Sequence, residues 1–152
     1  MQRDVVRPIT IVMADDDADD RMLARDAMME SRLGNPFYFV EDGQELMDYL
    51  HRTGRFSTEE APRPGLILLD LNMPRMDGRQ ALRLIKSDPD LRAIPVVVLT
   101  TSKTEEDILR SYDLGANSFI TKPVTFERLV EIVRGLGTYW FNIAQLPGVG
   151  AA

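Results

Sequence analysis

Residues 9–17 read Ile-Thr-Ile-Val-Met-Ala-Asp-Asp-Asp, an apolar run of strand length that ends in consecutive carboxylates. The same construction recurs along the chain. Leu66-Ile-Leu-Leu closes on Asp70, Pro95-Val-Val-Val-Leu closes on Thr100-Thr101, and Phe119-Ile-Thr leads to Lys122-Pro123. Strand-like runs near 8–14, 36–41, 65–70, 95–100 and 117–121 alternate with helix-like segments, the pattern of a doubly wound α/β fold with a parallel sheet. All strand C-termini of such a sheet emerge at one edge, where ligands bind, so the acids, Thr100 and Lys122 are expected to share one site. Clustered carboxylates repel one another and a hard cation relieves that repulsion; ligation by oxygen alone points to Mg²⁺.

A chain of 152 residues with 44% hydrophobic and 28% charged residues suits one soluble domain. Its net charge is −6 and it has no basic stripe to neutralise a phosphate backbone, so nucleic-acid binding is not expected. The absence of cysteine excludes disulfides and thiolate metal sites. The charged start Met1-Gln-Arg-Asp-Val-Val-Arg7 is unlike a secretory signal, and no apolar run reaches membrane-spanning length; a cytoplasmic protein without membrane contact is expected.

Residues 18–32 carry Leu23, Ala24, Ala27 and Met28 on one helical face and stop at Gly34-Asn35-Pro36. Asp42-Gly-Gln-Glu45, Asp77-Gly-Arg-Gln80 and Ser102-Lys-Thr-Glu105 have capping-box form and predict three more helices. Leu46/Met47/Leu50, Ala81/Leu82/Ile85 and Ile108/Leu109/Tyr112 are their expected sheet-facing residues, and Thr125 caps a fifth helix. The polar, Pro-containing residues 53–64 read as a surface connector. The fifth helix is too apolar for a single stripe: Phe126, Leu129, Val130, Val133 and Trp140 form one face, and Ile132, Leu136, Tyr139 and Ile143 an adjoining one. Gly135 and Gly137 weaken it, so a helical extension or arm is expected at about 138–152. The second face predicts a homodimer, with Ile132, Leu136, Tyr139, Trp140, Phe141 and Ile143 as candidate contacts. The alternative folds the arm back so that Trp140 caps the core.

Taken in order, Ala14-Asp-Asp-Asp17, Leu69-Asp-Leu-Asn-Met-Pro-Arg-Met-Asp-Gly78, Leu99-Thr-Thr-Ser102 and Phe119-Ile-Thr-Lys-Pro123 resemble the receiver domain of two-component response regulators, over roughly residues 8–136. The resemblance implies a flavodoxin-like five-stranded sheet of order 2-1-3-4-5, with residues 1–152 as a single receiver domain and no effector domain after the fifth helix. It implies a phosphoacceptor signalling domain rather than an enzyme, one that assists its own phosphorylation and dephosphorylation. Asp70 would accept a phosphoryl group from a phosphohistidine on a sensor histidine kinase. Asp15, Asp16, Asp70 and the Asn72 backbone carbonyl would hold Mg²⁺, and Thr100 and Lys122 would bind phosphoryl oxygens. A cis peptide before Pro123 is implied. So is an inward movement of Thr100 that lets Phe119 rotate and reshapes the surface of helix 4, strand 5 and helix 5. Phe119 departs from the commoner tyrosine and has no hydroxyl to bond. Asn72 and Ser102 border the phosphoryl position, and neither is charged. Leu71-Asn-Met-Pro74, Ile94 to Ser102 and Tyr139-Trp-Phe141 further resemble single-domain receivers associated with bacterial phytochromes. That implies a phytochrome-type kinase as partner, with another sensor kinase or a phosphotransfer protein as the alternative.

Other residues have plainer readings. Asp17 is expected to cap the first helix, His51 to sit on the surface, and the methionines to fill the core. One rival function is a Mg²⁺-dependent phosphohydrolase working through an aspartyl phosphate, but such enzymes usually carry a second acid where this chain has Asn72. Another is an interaction module that keeps only the fold; against it stands the intact set Asp15, Asp16, Asp70, Thr100 and Lys122.

Overall fold

The strands are apolar on both faces because helices cover both sides of the sheet. The computed structural model describes residues 9–101 and 104–143, without the side chains of 105 and 141–143. Ser102, the side chains of Phe141 and Ile143, and the end of the expected arm lie outside the described residues. Strands β1 (Ile11–Ala14), β2 (Phe37–Val40), β3 (Leu66–Leu69), β4 (Val96–Thr100) and β5 (Ser118–Thr121) pair in parallel in the order β2-β1-β3-β4-β5. Helices α1 (Ala18–Ser31), α2 (Gly43–His51), α3 (Gly78–Ser87), α4 (Glu105–Asp113) and α5 (Phe126–Leu136) alternate with them. Successive strand residues point to opposite faces, so Val12, Ala14, Ile67, Leu69, Val96 and Val98 join one core cluster, with α2 and α3. Ile11, Met13, Leu66, Leu68, Val97 and Leu99 join the other, beneath α1 and α5.

Side-chain caps fix where the helices begin, and therefore where the preceding strands release the chain. Asp17 accepts hydrogen bonds from the N–H groups of Asp19 and Asp20, Asp42 from Glu45, Asp77 from Gln80 and Thr125 from Arg128. Helix α4 differs from expectation. Its cap is Thr104, which accepts from the Asp107 N–H, and the helix therefore starts at Glu105 rather than at Ser102. Leu109 and Tyr112 are exposed, and among the described side chains of that helix Ser111 is the buried one. Tyr112 leans over the open edge of β5, where its hydroxyl accepts the Phe119 N–H at 3.2 Å, a group that no neighbouring strand can pair.

At the other end, Leu129, Val130 and Val133 of α5 are buried, and the chain passes Gly137 without a break into a π-helical turn, Gly137–Ile143. Leu136 and Trp140 pack back against the second core cluster, whereas Tyr139 stays 52% exposed with its ring edge-on to Trp140. The connector 53–64 is not wholly superficial, since its 3₁₀ turn buries Phe56 against Tyr49 with ring centroids 5.2 Å apart.

Gly78 closes the loop after β3. Its N–H donates to the Leu71 carbonyl at 2.9 Å, and a Cβ there would lie 2.1 Å from the Asp70 carbonyl oxygen. Gly135 on α5 faces open space. Gly78→Ala is expected to destabilise the fold by about 3 kcal/mol through backbone displacement, and Gly135→Ala to stabilise it by about 0.5 to 1 kcal/mol. Urea denaturation of the two variants checks this, and equal midpoints would contradict the close approach at Gly78.

Candidate functional site

Four chain segments leave the same sheet edge and carry their first residues into one recess. Asp15 and Asp16 follow β1, Asp70 follows β3, Thr100 ends β4 and Lys122 follows β5. Asp15, Asp70 and Thr100 are buried, Asp16 is exposed, and one carboxylate oxygen from each of Asp15, Asp16 and Asp70 lies within 4.8 Å of the others. Asp70 Oδ1 accepts from Thr100 Oγ1 at 2.8 Å and from the Asn72 N–H at 3.2 Å. Asp70 Oδ2 accepts from Lys122 Nζ at 3.0 Å. Thr100 therefore faces the carboxylate.

Lys122 is the electrostatic centre of the recess. Its ammonium contacts Asp15 Oδ2 at 2.6 Å, Asp20 Oδ2 at 2.8 Å and Asp70 Oδ2 at 3.0 Å. Burial alone would lower its pKa, but the bonds to Asp15 and Asp20 and the charges of Asp15 and Asp70 outweigh that effect, and the pKa is raised. Asp15 is pushed the other way: burial raises its pKa, and the nearby Asp70 charge adds to this, despite Lys122 and the Asp17 N–H. Asp15 Oδ1 accepts the Asp17 N–H at 2.9 Å. Asp15 Oδ2 is fully buried and has the ammonium at 2.6 Å. Two buried carboxylates and one exposed carboxylate that bring an oxygen each within 4.8 Å of the others are a donor set that fits a hard divalent cation.

The loop that carries Asn72 is held from outside. Arg75 adopts a left-handed φ of 63° and turns its guanidinium onto Asp42, the buried cap of α2, with Nε donating at 2.8 Å and Nη2 to the same oxygen. The Gly43 N–H donates to the Met76 carbonyl at 2.9 Å, where a Cβ on Gly43 would approach that oxygen to 2.3 Å. Sequence reasoning found neither Arg75 nor Asp20. Asp20 had one available signal, since it lies in the first turn of the helix that follows the acidic strand end.

Phe119 and His51 lie apart from this constellation, and Pro123 borders it. The Lys122–Pro123 peptide is trans, not cis, the isomer that X-Pro bonds favour. Phe119 packs against the first core cluster rather than in the recess. His51 lies at the C-terminal end of α2, remote from the strand C-termini, and pairs with Asp88 at 3.0 Å.

Comparison with known proteins agrees with this geometry. The profile of the response regulator receiver domain matches residues 11–134. The chain is 39% identical to response regulator Rcp1 of Synechocystis over 140 residues, 92% of this chain and 94% of that protein. The crystal structure of the phosphorylated cyanobacterial phytochrome response regulator RcpA superposes with a TM-score of 0.86 at 44% identity, covering 93% of this chain and 100% of that one. The Mn²⁺-bound form of Rcp1 gives 0.84 at 38% identity, with coverage of 93% and 100%.

The raised pKa of Asp15 fixes the sign of a pH effect. As pH rises above the ordinary value of 3.8, the unfolded chain releases this proton before the folded one does, so stability falls until the raised native pKa is passed. Asp15→Asn is expected to remove that loss. In chelator-treated protein at neutral pH the variant should melt above the wild type, with the difference shrinking below pH 3.8; a wild type that melts higher at neutral pH would contradict the assignment.

Proposed function

The chain belongs to the response regulator receiver family, and from that premise we propose that it is a phosphoacceptor switch whose Asp70 takes a phosphoryl group from a phosphohistidine of a sensor histidine kinase. The observation that carries the reading is the setting of Asp70: a buried carboxylate with a hydroxyl donor on one oxygen, an ammonium on the other, and two further carboxylates beside it. An Asp70 oxygen attacks phosphorus, the P–N bond breaks, and its electron pair returns to the donor imidazole, which takes up a proton. Little covalent help is needed for such a transfer; what is needed is position and charge neutralisation. Asp15, Asp16, Asp70 and the Asn72 carbonyl would hold Mg²⁺, which when bound neutralises charge on the transferring group. Lys122 and Thr100 move their hydrogen bonds from the carboxylate to phosphoryl oxygens. The protein acts on its own side chain and turns over no separate substrate, so we read it as a signalling domain that assists its own phosphorylation and dephosphorylation.

A macromolecular donor needs a surface beside the recess. Leu23 of α1 and Val124 and Phe126 beyond Lys122 supply exposed apolar side chains at its rim. The similarity to RcpA and Rcp1 supports a phytochrome-type kinase in the cytoplasm as that donor. For output, Thr100 and Phe119 link the site to the surface of α4, β5 and α5, where the Tyr112 hydroxyl already joins α4 to the Phe119 backbone. A groove on that side is lined by Phe119, Ile132, Leu136, Tyr139 and Trp140, which supports a homodimer across this face.

Asp70→Asn is expected to abolish labelling by a phosphohistidine kinase or by acetyl phosphate while leaving the fold intact, because an amide cannot serve as the nucleophile. Labelling at the wild-type level would refute the phosphoacceptor assignment. Assembly is tested by sedimentation of the full chain and of a form ending at Gly137. A full chain that is monomeric across the micromolar range defeats the dimer, and a dimer that survives truncation places its main contacts before Thr138.

A further inference from the structure

Lys122 and a divalent cation want the same oxygens. The ammonium lies 2.6 Å from Asp15 Oδ2 and 3.0 Å from Asp70 Oδ2, and both residues belong to the oxygen cluster that fits a cation. Two positive groups cannot share these carboxylates at full strength, so an entering cation displaces the ammonium from them. The side chain of Lys122 is only 11% exposed, and a charge left there without a partner is costly. Asp20 is its third contact, at 2.8 Å. It stands in the first turn of α1, outside the cation cluster, with its side chain one-third exposed.

We propose that Asp20 is a positioning residue that holds the Lys122 ammonium aside when a divalent cation takes Asp15 and Asp70. The inference rests on the cation reading of the preceding subsection. Before the cation enters, Lys122 bridges three carboxylates; afterwards it keeps Asp20 and stays at the rim of the recess, within reach of incoming phosphoryl oxygens. Without Asp20 the ammonium has nowhere paired to go, and it competes harder for Asp15 and Asp70. A plainer alternative is that Asp20 merely adds negative charge near the site and attracts the cation from a distance.

A double-mutant cycle separates the two, because only the positioning role acts through Lys122. The full chain is titrated with Mn²⁺, followed by the electron paramagnetic resonance of the free ion, as wild type, Asp20→Asn, Lys122→Ala and the double variant. Asparagine keeps the size of the side chain and removes only its charge, so the helix start is undisturbed, and circular dichroism verifies this. Asp20→Asn is expected to weaken Mn²⁺ binding on the order of tenfold when Lys122 is present, the scale of one charge-assisted hydrogen bond, and to have little effect in the Lys122→Ala background. Equal weakening in both backgrounds, or none in either, overturns the role of Asp20. Asp16→Ala serves as the control: if it leaves Mn²⁺ affinity unchanged, the cation site itself is wrong and the role of Asp20 falls with it.

Discussion

The ammonium of Lys122 draws together carboxylates from three separate stretches of chain: the end of β1, the first turn of α1 and the end of β3. In the strand order β2-β1-β3-β4-β5, a lysine that follows β5 has to reach back past β4 and β3 to touch the residue after β1. Its charge is what makes the recess possible. Two unit negative charges about 4 Å apart repel by on the order of 4 kcal/mol at an effective dielectric constant of about 20, and Asp15 and Asp70 sit buried at comparable separation. One positive group between them turns a repulsive cluster into a bound one. It does so incompletely, since three carboxylates share the one ammonium. That residual dissatisfaction is the physical opening for a cation, and it makes the arrangement of charges around Lys122 a property that ligands can change.

Everything else in the fold restrains the groups that this centre acts upon. Gly78 and Gly43 let the backbone close tightly on either side of the Asp70 loop, and the Arg75–Asp42 pair fastens that loop to the start of α2. Arg79 pairs with Asp107 at 3.0 Å and so ties α3 to α4. Thr100, fully buried at the end of β4, has its hydroxyl on Asp70 and its neighbours in the core. A charge change at Asp70 therefore meets rigid walls on the β1 and α2 side. On the other side it meets α4, whose outer residues Leu109 and Tyr112 are exposed and whose Tyr112 hydroxyl accepts the Phe119 N–H of β5. The less constrained side is the one proposed to carry the signal.

Much of this could be read from the chain before its structure was known, because strand ends are strongly marked. Apolar runs of strand length, each followed at once by Asp, Thr or Lys, locate both the sheet and its functional edge, and the structure does bring Asp15, Asp16, Asp70, Thr100 and Lys122 together there. Helix caps made by Asp17, Asp42, Asp77 and Thr125 were equally legible, since cap and hydrogen-bonded N–H lie within three residues. Contacts that depend on helix rotation or on a long side chain were not. Asp20 reaches Lys122 across 102 positions, and Arg75 reaches Asp42 across 33 from a left-handed backbone that nothing local demands of an arginine. The inward face of α4 is hard to read for a similar reason: Tyr112 has an apolar ring suited to the core, but its hydroxyl finds the unpaired edge of β5. Trp140 packs on the core with Leu129, Val130 and Val133, the face on which its helical spacing puts it, whereas Leu136, which that spacing puts on the adjoining face, packs there too.

The central claim is that one carboxylate among several in the recess, that of Asp70, forms the phosphoryl bond while its neighbours serve charge. Reduction with borohydride converts an aspartyl phosphate to homoserine and leaves free carboxylates untouched, so it marks the reacting residue directly. Protein treated with acetyl phosphate and Mg²⁺, then reduced and mapped by peptide mass spectrometry, should carry homoserine at position 70 alone, and a parallel sample with excess chelator should carry almost none. Homoserine at position 15, 16 or 20, or a stable phosphate on serine or threonine, would contradict the account.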